Sequence, residues 1–236
     1  MIVPGSQFPT RGVRARIMQH AAPDGSRQET PLLAVSYHQP SDQVEGGRGA
    51  IFVDRDGVLN RFGNMKKAED LDRLLQPNAV ESLLRLMSHT KMPVYVVTNQ
   101  QRAAKDDRTL SQVEASLDRL CQLVVENGGK FAGVLFCPSR SQDPVPKGMV
   151  SGHKPNAGMF LEAARLDSLD LSQSYMVGDS VKDMLAAKQA HPEMTTLLVA
   201  TGHGGRDESQ PHPPEASVAC IGEAADWIIG RESGRT

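Results

Sequence analysis

The chain has 236 residues, 39% of them hydrophobic, enough to bury one good-sized core and to form one domain or one domain with an appendage. A net charge of −2 gives no electrostatic pull toward a nucleic acid or an acidic membrane and argues against a polynucleotide substrate. The cysteines, Cys121, Cys137 and Cys220, are odd in number and far apart, which excludes a disulfide framework and suits a reducing, cytoplasmic compartment. No stretch approaches the roughly 20 apolar residues that span a bilayer, and Met1 to Ser6 lacks the charged and apolar regions of a secretory leader.

Residues 1–48 are rich in Gly, Pro, Ser, Gln and Arg and read as a linker-like N-terminal extension. Within it Val13 to Met18 and Leu32 to Tyr37 flank Pro23-Asp24-Gly25-Ser26 and are candidates to pair as a hairpin. Ala50-Ile51-Phe52-Val53 has the content of a buried strand and ends in Asp54-Arg55-Asp56-Gly57. On a chain leaving the strand, Asp54 and Asp56 can both turn toward one crevice while Arg55 points elsewhere; Gly57 permits the sharp turn that follows. The polar stretch 61–76 reads as a flap over this strand end.

From Asn78 to Ser88, Val80, Leu83, Leu84 and Met87 recur at the spacing of one helix face, with Pro77 as a start signal. Val94 to Val97 is a second strand, ending in Thr98-Asn99-Gln100. Leu110 to Glu126 repeats the helical spacing through Val113, Leu117, Leu120 and Val124, and Asn127-Gly128-Gly129 stops it. Phe131 to Phe136 is a third strand, and a Pro- and Gly-punctuated loop runs from Pro138 to Gly152. Lys154 then stands just before a helix carrying Met159, Phe160, Ala163 and Leu166, where free backbone N–H groups favour an anion.

Tyr175-Met176-Val177 is a fourth strand, ending in Gly178-Asp179-Ser180; over a helix at 180–190, Asp179 would cap the start and Asp183 lie about one turn inside. Leu197 to Ala200 is a fifth strand, 206–217 a polar loop, and Ala224 to Ile229 a closing helix. Strands alternating with helices predict an α/β fold, a doubly wound, Rossmann-like parallel sheet with helices on both faces. Ligands of such sheets bind at the C-terminal strand ends, and that edge collects Asp54, Asp56, Thr98, Asn99, Lys154, Asp179 and Asp183. Carboxylates without His or Cys companions favour Mg²⁺, while a hydroxyl, an amide and a lysine suit a phosphoryl group. The inventory is that of phosphoryl transfer, with Asp54 able to attack phosphorus and Asp56 to move the proton.

In four ordered motifs the sequence resembles the haloacid dehalogenase (HAD) superfamily of phosphatases. These are Asp54-Arg55-Asp56-Gly57-Val58-Leu59-Asn60, Val97-Thr98-Asn99-Gln100, Lys154-Pro155, and Val177-Gly178-Asp179-Ser180 with Asp183. The resemblance implies a phosphatase domain over 49–232 with Asp54 as nucleophile and Asp56 as general acid/base. It implies Thr98 and Lys154 as phosphate binders, Asn99 touching phosphate or substrate, and Mg²⁺ held by Asp54, Asp179 and the backbone carbonyl of Asp56. Asp183 would support the lysine or the metal's waters.

The short segments between motifs leave no room for a large cap domain, as in the phosphatases of heptose bisphosphate and histidinol phosphate. Those relatives carry a structural zinc on a Cys-x-His pair and a later Cys-x-Cys pair. Here Cys137-Pro138-Ser139 keeps one cysteine and His153 replaces the basic residue before the lysine, so no structural zinc is expected. A small sugar phosphate is the expected partner, heptose bisphosphate first. Histidinol phosphate and a polynucleotide 3′-phosphate are alternatives; a non-catalytic binding protein is a remote one, because every essential side chain is present.

Overall fold

The computed structural model describes residues 47–101, 109–141, 143, 145, 150–204 and 212–234 in full, and 16–21 and 27–38 as backbone. The elements are β1 (Arg16–Ala21), β2 (Arg27–His38), β3 (Ile51–Val53), α1 (Asp70–Leu74), α2 (Ala79–Thr90), β4 (Val94–Asn99), α3 (Leu110–Glu126) and β5 (Gly133–Cys137). They continue with α4 (Gly158–Asp167), β6 (Tyr175–Gly178), α5 (Val181–Ala190), β7 (Thr195–Val199), β8 (Ala216–Val218) and α6 (Ile221–Ser233). Six strands run parallel in the order β5-β4-β3-β6-β7-β8, with Phe52 between Tyr95 and Met176. β2 joins β5 antiparallel, and β1 pairs outside β2 through Arg27–Leu33.

The chain moves outward from β3 in one direction through β4 and β5, then returns to β3's other side for β6, β7 and β8. That reversal opens a crevice beyond the C-terminal end of β3, the place where such sheets bind ligands.

Alternate strand residues feed two cores. Ile51, Val53, Val96, Val134 and Val177 pack with Leu83 and Leu86 of α2, Leu117 and Leu120 of α3, and Ile228 of α6. Phe52, Tyr95, Val97 and Met176 pack with Met159 and Phe160 of α4 and Met184 of α5. Phe52 stacks on Tyr95 at 5.3 Å between ring centroids and tilts against Phe160 at 5.0 Å. Cores on both faces explain why these strands read as unbroken apolar runs.

The helix termini follow local chemistry. Thr109 caps α3, with its Oγ1 accepting from Gln112 N at 3.2 Å and Gln112 Oε1 accepting from Thr109 N at 2.9 Å. β8 begins at the end of the segment read as the 206–217 loop and overlaps it by Ala216 and Ser217; three residues at a sheet edge carry too little periodicity to be recognised. Among the described residues no helix is long and apolar enough to cross a membrane.

Candidate active site

Asp54 is the first residue past β3, and its N–H donates to Val177 O at 2.9 Å, continuing the β6 side of the ladder for one residue. The chain then folds back tightly, with Gly57 N donating to Asn60 O at 2.7 Å and Leu59 N to Arg55 O at 2.9 Å. Gly57 has φ +93°, and a Cβ there would fall 2.1 Å from Asp179 Oδ2. Gly202, after β7, has φ +65° and would place a Cβ 2.0 Å from the same oxygen. Two bare stretches of backbone therefore close over the Asp179 carboxylate, which also accepts from His203 N at 2.7 Å.

Lys154 is 2% exposed, and its Nζ lies 2.9 Å from Asp54 Oδ1 and 2.5 Å from Asp183 Oδ1 while donating to Val97 O at 2.9 Å. Three acceptors from β3, β4 and α5 thus fix the ammonium. The lysine is not poised on a helix N-terminus: α4 begins at Gly158. Its backbone is held by Asn99, whose Oδ1 accepts from Lys154 N at 2.9 Å and whose Nδ2 donates to Lys154 O at 3.0 Å. Asn99, expected to touch phosphate or substrate, lines the cavity but uses its amide to position the lysine.

His153 is buried, with Nδ1 3.4 Å from Asn99 Nδ2; Nε2 has no hydrogen-bond partner among the described residues. Burial pushes its pKa down. Cys137 Sγ sits 3.0 Å from Ser139 Oγ, and burial raises the thiol to about 11.

Asp56 lines the same crevice but stands outside this cluster of contacts, and Arg55 does not point elsewhere. The Arg55 guanidinium, 1% exposed, turns back onto its neighbour, with Nη2 2.7 Å from Asp56 Oδ2 and Nε 3.2 Å from Oδ1. Sequence spacing gave the direction of the backbone, but a long side chain can fold back where its charge finds a carboxylate. Asn60 Nδ2 donates to Asp56 Oδ1 at 2.8 Å and Gln100 Nε2 to Oδ2 at 2.7 Å. Gln100 Nε2 also donates to Thr98 Oγ1 at 3.0 Å, which leaves the buried Thr98 hydroxyl its own hydrogen to donate. Ser116 Oγ and Gln100 Oε1 accept from the same guanidinium, each at 3.1 Å.

These surroundings separate the carboxylates. Burial raises Asp54 to about 7, opposed by Lys154 and reinforced by Asp183. Burial, with the charges of Asp54 and Asp183, raises Asp179 to about 8 against the His203 N–H and Lys154. For Asp56, burial pushes upward but is outweighed by the Arg55 charge and the bonds from Arg55, Asn60 and Gln100, so its pKa is lowered. Lys154 is raised: burial opposes its charge, but Asp183 and Asp54 more than compensate.

Asp54, Asp179 and Asp183 bring carboxylate oxygens within 4.8 Å of one another. Three buried carboxylates crowded around the Lys154 ammonium, with the pKa values of Asp54 and Asp179 raised, are a donor set suited to a hard divalent cation. The Asp56 side chain is outside this group. Asp179 is not the cap of α5. Ser180 is, its Oγ accepting from Lys182 N at 3.1 Å while its N–H donates to Asp183 Oδ2 at 3.1 Å. One residue's difference in register frees the Asp179 carboxylate for the crevice and places both Asp183 oxygens, one on the cap and one on Lys154.

The crevice is a cavity of about 300 Å³ that brings together all seven expected residues. It adds Arg55 and Gln100 behind Asp56, and Phe62, Lys182 and His203 at its wall. Arg55, Asn60 and Gln100 stand inside the quoted motifs, so their presence was legible but not their task; no local pattern marks Phe62, Lys182 or His203.

A family model described as HAD-hydrolase-like matches residues 152–224. The chain is 35% identical over 192 residues to a D-glycero-D-manno-heptose-1,7-bisphosphate 7-phosphatase of Thermosynechococcus vestitus, covering 77% of this chain and 95% of that protein. It is 33% identical to the D-glycero-beta-D-manno-heptose-1,7-bisphosphate 7-phosphatase of Pseudomonas aeruginosa, over 70% of this chain and 89% of that protein. Among solved structures it resembles the D,D-heptose 1,7-bisphosphate phosphatase of B. bronchiseptica complexed with magnesium and phosphate. The TM-score is 0.66 and the identity 26%, over 78% of this chain and 99% of that one. With the four motifs meeting at one strand edge and relatives matched over nearly their whole length, the chain belongs to the HAD superfamily and is one of its phosphatases.

Proposed function

We propose that the chain is a Mg²⁺-dependent phosphomonoesterase that works through an aspartyl-phosphate on Asp54 and removes the 7-phosphate of D-glycero-D-manno-heptose 1,7-bisphosphate. The observation that carries this reading is the contact of Lys154 Nζ with Asp54 at 2.9 Å and Asp183 at 2.5 Å, beside the Asp179 carboxylate. A nucleophile, a fixed cation and a carboxylate suited to a metal then share one crevice. The names of the relatives support the substrate.

An oxygen of Asp54 attacks phosphorus, and the bond from phosphorus to the ester oxygen breaks with its electron pair on that oxygen. Asp56 gives the leaving oxygen a proton. Water then attacks phosphorus and passes a proton to Asp56, and the bond to Asp54 breaks, restoring the carboxylate. Lys154 and the Thr98 hydroxyl hold the phosphoryl oxygens throughout. Mg²⁺, held by Asp54 and Asp179, supplies positive charge that keeps both carboxylates ionised and offsets the repulsion between Asp54 and the incoming dianion. The clamp of Arg55, Asn60 and Gln100 favours the ionised Asp56 that the second half-reaction needs. For the first half, Asp56 must take up a proton and leave at least one of those donors.

The test is phosphate release from heptose bisphosphate, histidinol phosphate and a 3′-phosphorylated oligonucleotide, with Mg²⁺ or with EDTA. Heptose bisphosphate should give the highest kcat/KM, and EDTA should abolish turnover. The oligonucleotide ranking first would overturn the substrate, and full activity in EDTA would overturn the cation.

The carboxylates also predict a stability profile for the metal-free protein. Folding raises Asp54 from 3.8 to about 7 and Asp179 from 3.8 to about 8, so the folded state holds these protons more tightly than the unfolded chain. Their contribution is therefore greatest at low pH and is lost as pH rises toward 8. His153, lowered by burial, opposes this only below its ordinary 6.5. Between pH 6.5 and 8 the metal-free protein should lose about 2 kcal/mol, roughly 5 °C in Tm. Saturating Mg²⁺ should reverse the loss, and Asp179→Asn should flatten the slope in thermal melts.

A further inference from the structure

We propose that Phe62 and His203 form an aromatic wall that reads the carbon skeleton of the ester, favouring phosphates carried on a sugar ring over small open-chain phosphates. The inference rests on the phosphatase reading above and deepens it. Phe62 lines the same cavity as Asp54 and Asp56. It is 51% exposed, whereas Phe52, Phe131, Phe136 and Phe160 are each 2% exposed or less. A lone exposed apolar side chain is ordinary on a protein surface; Phe62 differs in standing at the site and in its ring partner. Its centroid lies 4.7 Å from that of His203, with the planes tilted by 55°.

Both rings sit on anchored backbone. Beside Phe62, Arg61 N donates to Leu74 O at 2.7 Å and the Arg61 guanidinium to Arg73 O at 2.7 Å. On its other side Gly63 packs so tightly on Leu74 that a Cβ would fall 2.7 Å from Leu74 Cδ2. α1 is tied to α3 by Arg119, whose Nε and Nη2 donate to the two Asp72 oxygens at 2.9 and 2.7 Å. His203 is held through its own N–H on Asp179 at 2.7 Å. The wall is thus set before substrate arrives, so little ordering entropy opposes its use.

An aromatic face in a cavity lined for the rest mainly by charged, amide and hydroxyl side chains, with Met65 beside it, matches a ligand with one apolar face and a polar rim. A sugar ring has both, its C–H face for Phe62 and its hydroxyls for Gln101 and Lys182, which line the same cavity. A phosphate on a two-carbon group has no such face to offer the wall.

The experiment uses the full chain with Mg²⁺ and reads the ratio of kcat/KM for heptose bisphosphate to that for acetyl phosphate. Phe62→Ala should lower this ratio about tenfold, through KM rather than kcat, and Phe62→Tyr should restore it to within about twofold. His203→Ala should lower it in the same direction. An unchanged ratio in Phe62→Ala overturns the wall, including an equal loss on both substrates, which would mark a structural role. Wild-type protein that hydrolyses acetyl phosphate but no ring ester also overturns it. Wild-type protein that hydrolyses neither substrate overturns the phosphatase reading itself and the wall with it.

Discussion

Asp54→Asn should abolish turnover, lowering kcat by about 10,000-fold or more, on the scale of losing a covalent nucleophile. The amide keeps the shape of the side chain and its place after β3, but it cannot form the acyl-phosphate bond. Destabilisation would not explain the loss. At pH 8 the wild-type carboxylate, raised to about 7, is held ionised in the crevice at a cost to the fold. Removing that charge should leave the metal-free melting temperature unchanged or higher, while Mg²⁺ should stabilise the variant less than the wild type. Activity and melting must therefore move independently; a variant that retains turnover would remove the covalent step from the mechanism.

Lys154→Met should damage both catalysis and folding. The methionine has nearly the same length and no charge, so it strands Asp54 and Asp183, which lie 2.9 and 2.5 Å from the ammonium, with Asp179 close by. Leaving buried carboxylates without their partner costs about 3 kcal/mol or more at pH 8. The cost should shrink at pH 6 as Asp54 and Asp179, already raised by burial, protonate instead of remaining charged. Denaturant unfolding of the metal-free variant and of the wild type at the two pH values reads this difference. A variant equally stable at both, and as stable as the wild type, would show that the ion pairs contribute nothing. The kcat loss should persist in excess Mg²⁺, since Lys154 holds phosphoryl oxygens that the metal does not replace.

The two substitutions probe one arrangement from opposite charges. Three carboxylates gathered around the Lys154 ammonium leave this cluster short of positive charge in the metal-free protein. Asp56 lies outside that shortage because Arg55 supplies a private counter-ion, 1% exposed and bonded to both carboxylate oxygens. Two aspartates one residue apart thereby acquire opposite pKa shifts. Such separation lets one serve as nucleophile and the other as proton carrier.

By itself the sequence determined whatever is written in short-range pattern. The span of α3, Leu110 to Glu126, follows from helical spacing with Asn-Gly-Gly at its end. The strands follow from apolar runs, and the order of the four motifs identifies the edge on which Asp54, Thr98, Lys154 and Asp179 meet. These signals are local, with a period of 2 or 3.6 residues or a fixed motif spacing, and need no knowledge of what lies across the fold. Only the tertiary structure decided which partners the side chains choose. Arg55 turns onto Asp56, Asn99 holds the Lys154 backbone, and Ser180 takes the capping role from Asp179. Phe62 meets His203 because strand order brings the loop after β7 beside the flap after β3. Such meetings depend on rotamers and long-range chain crossing, and they carry no periodicity along the chain.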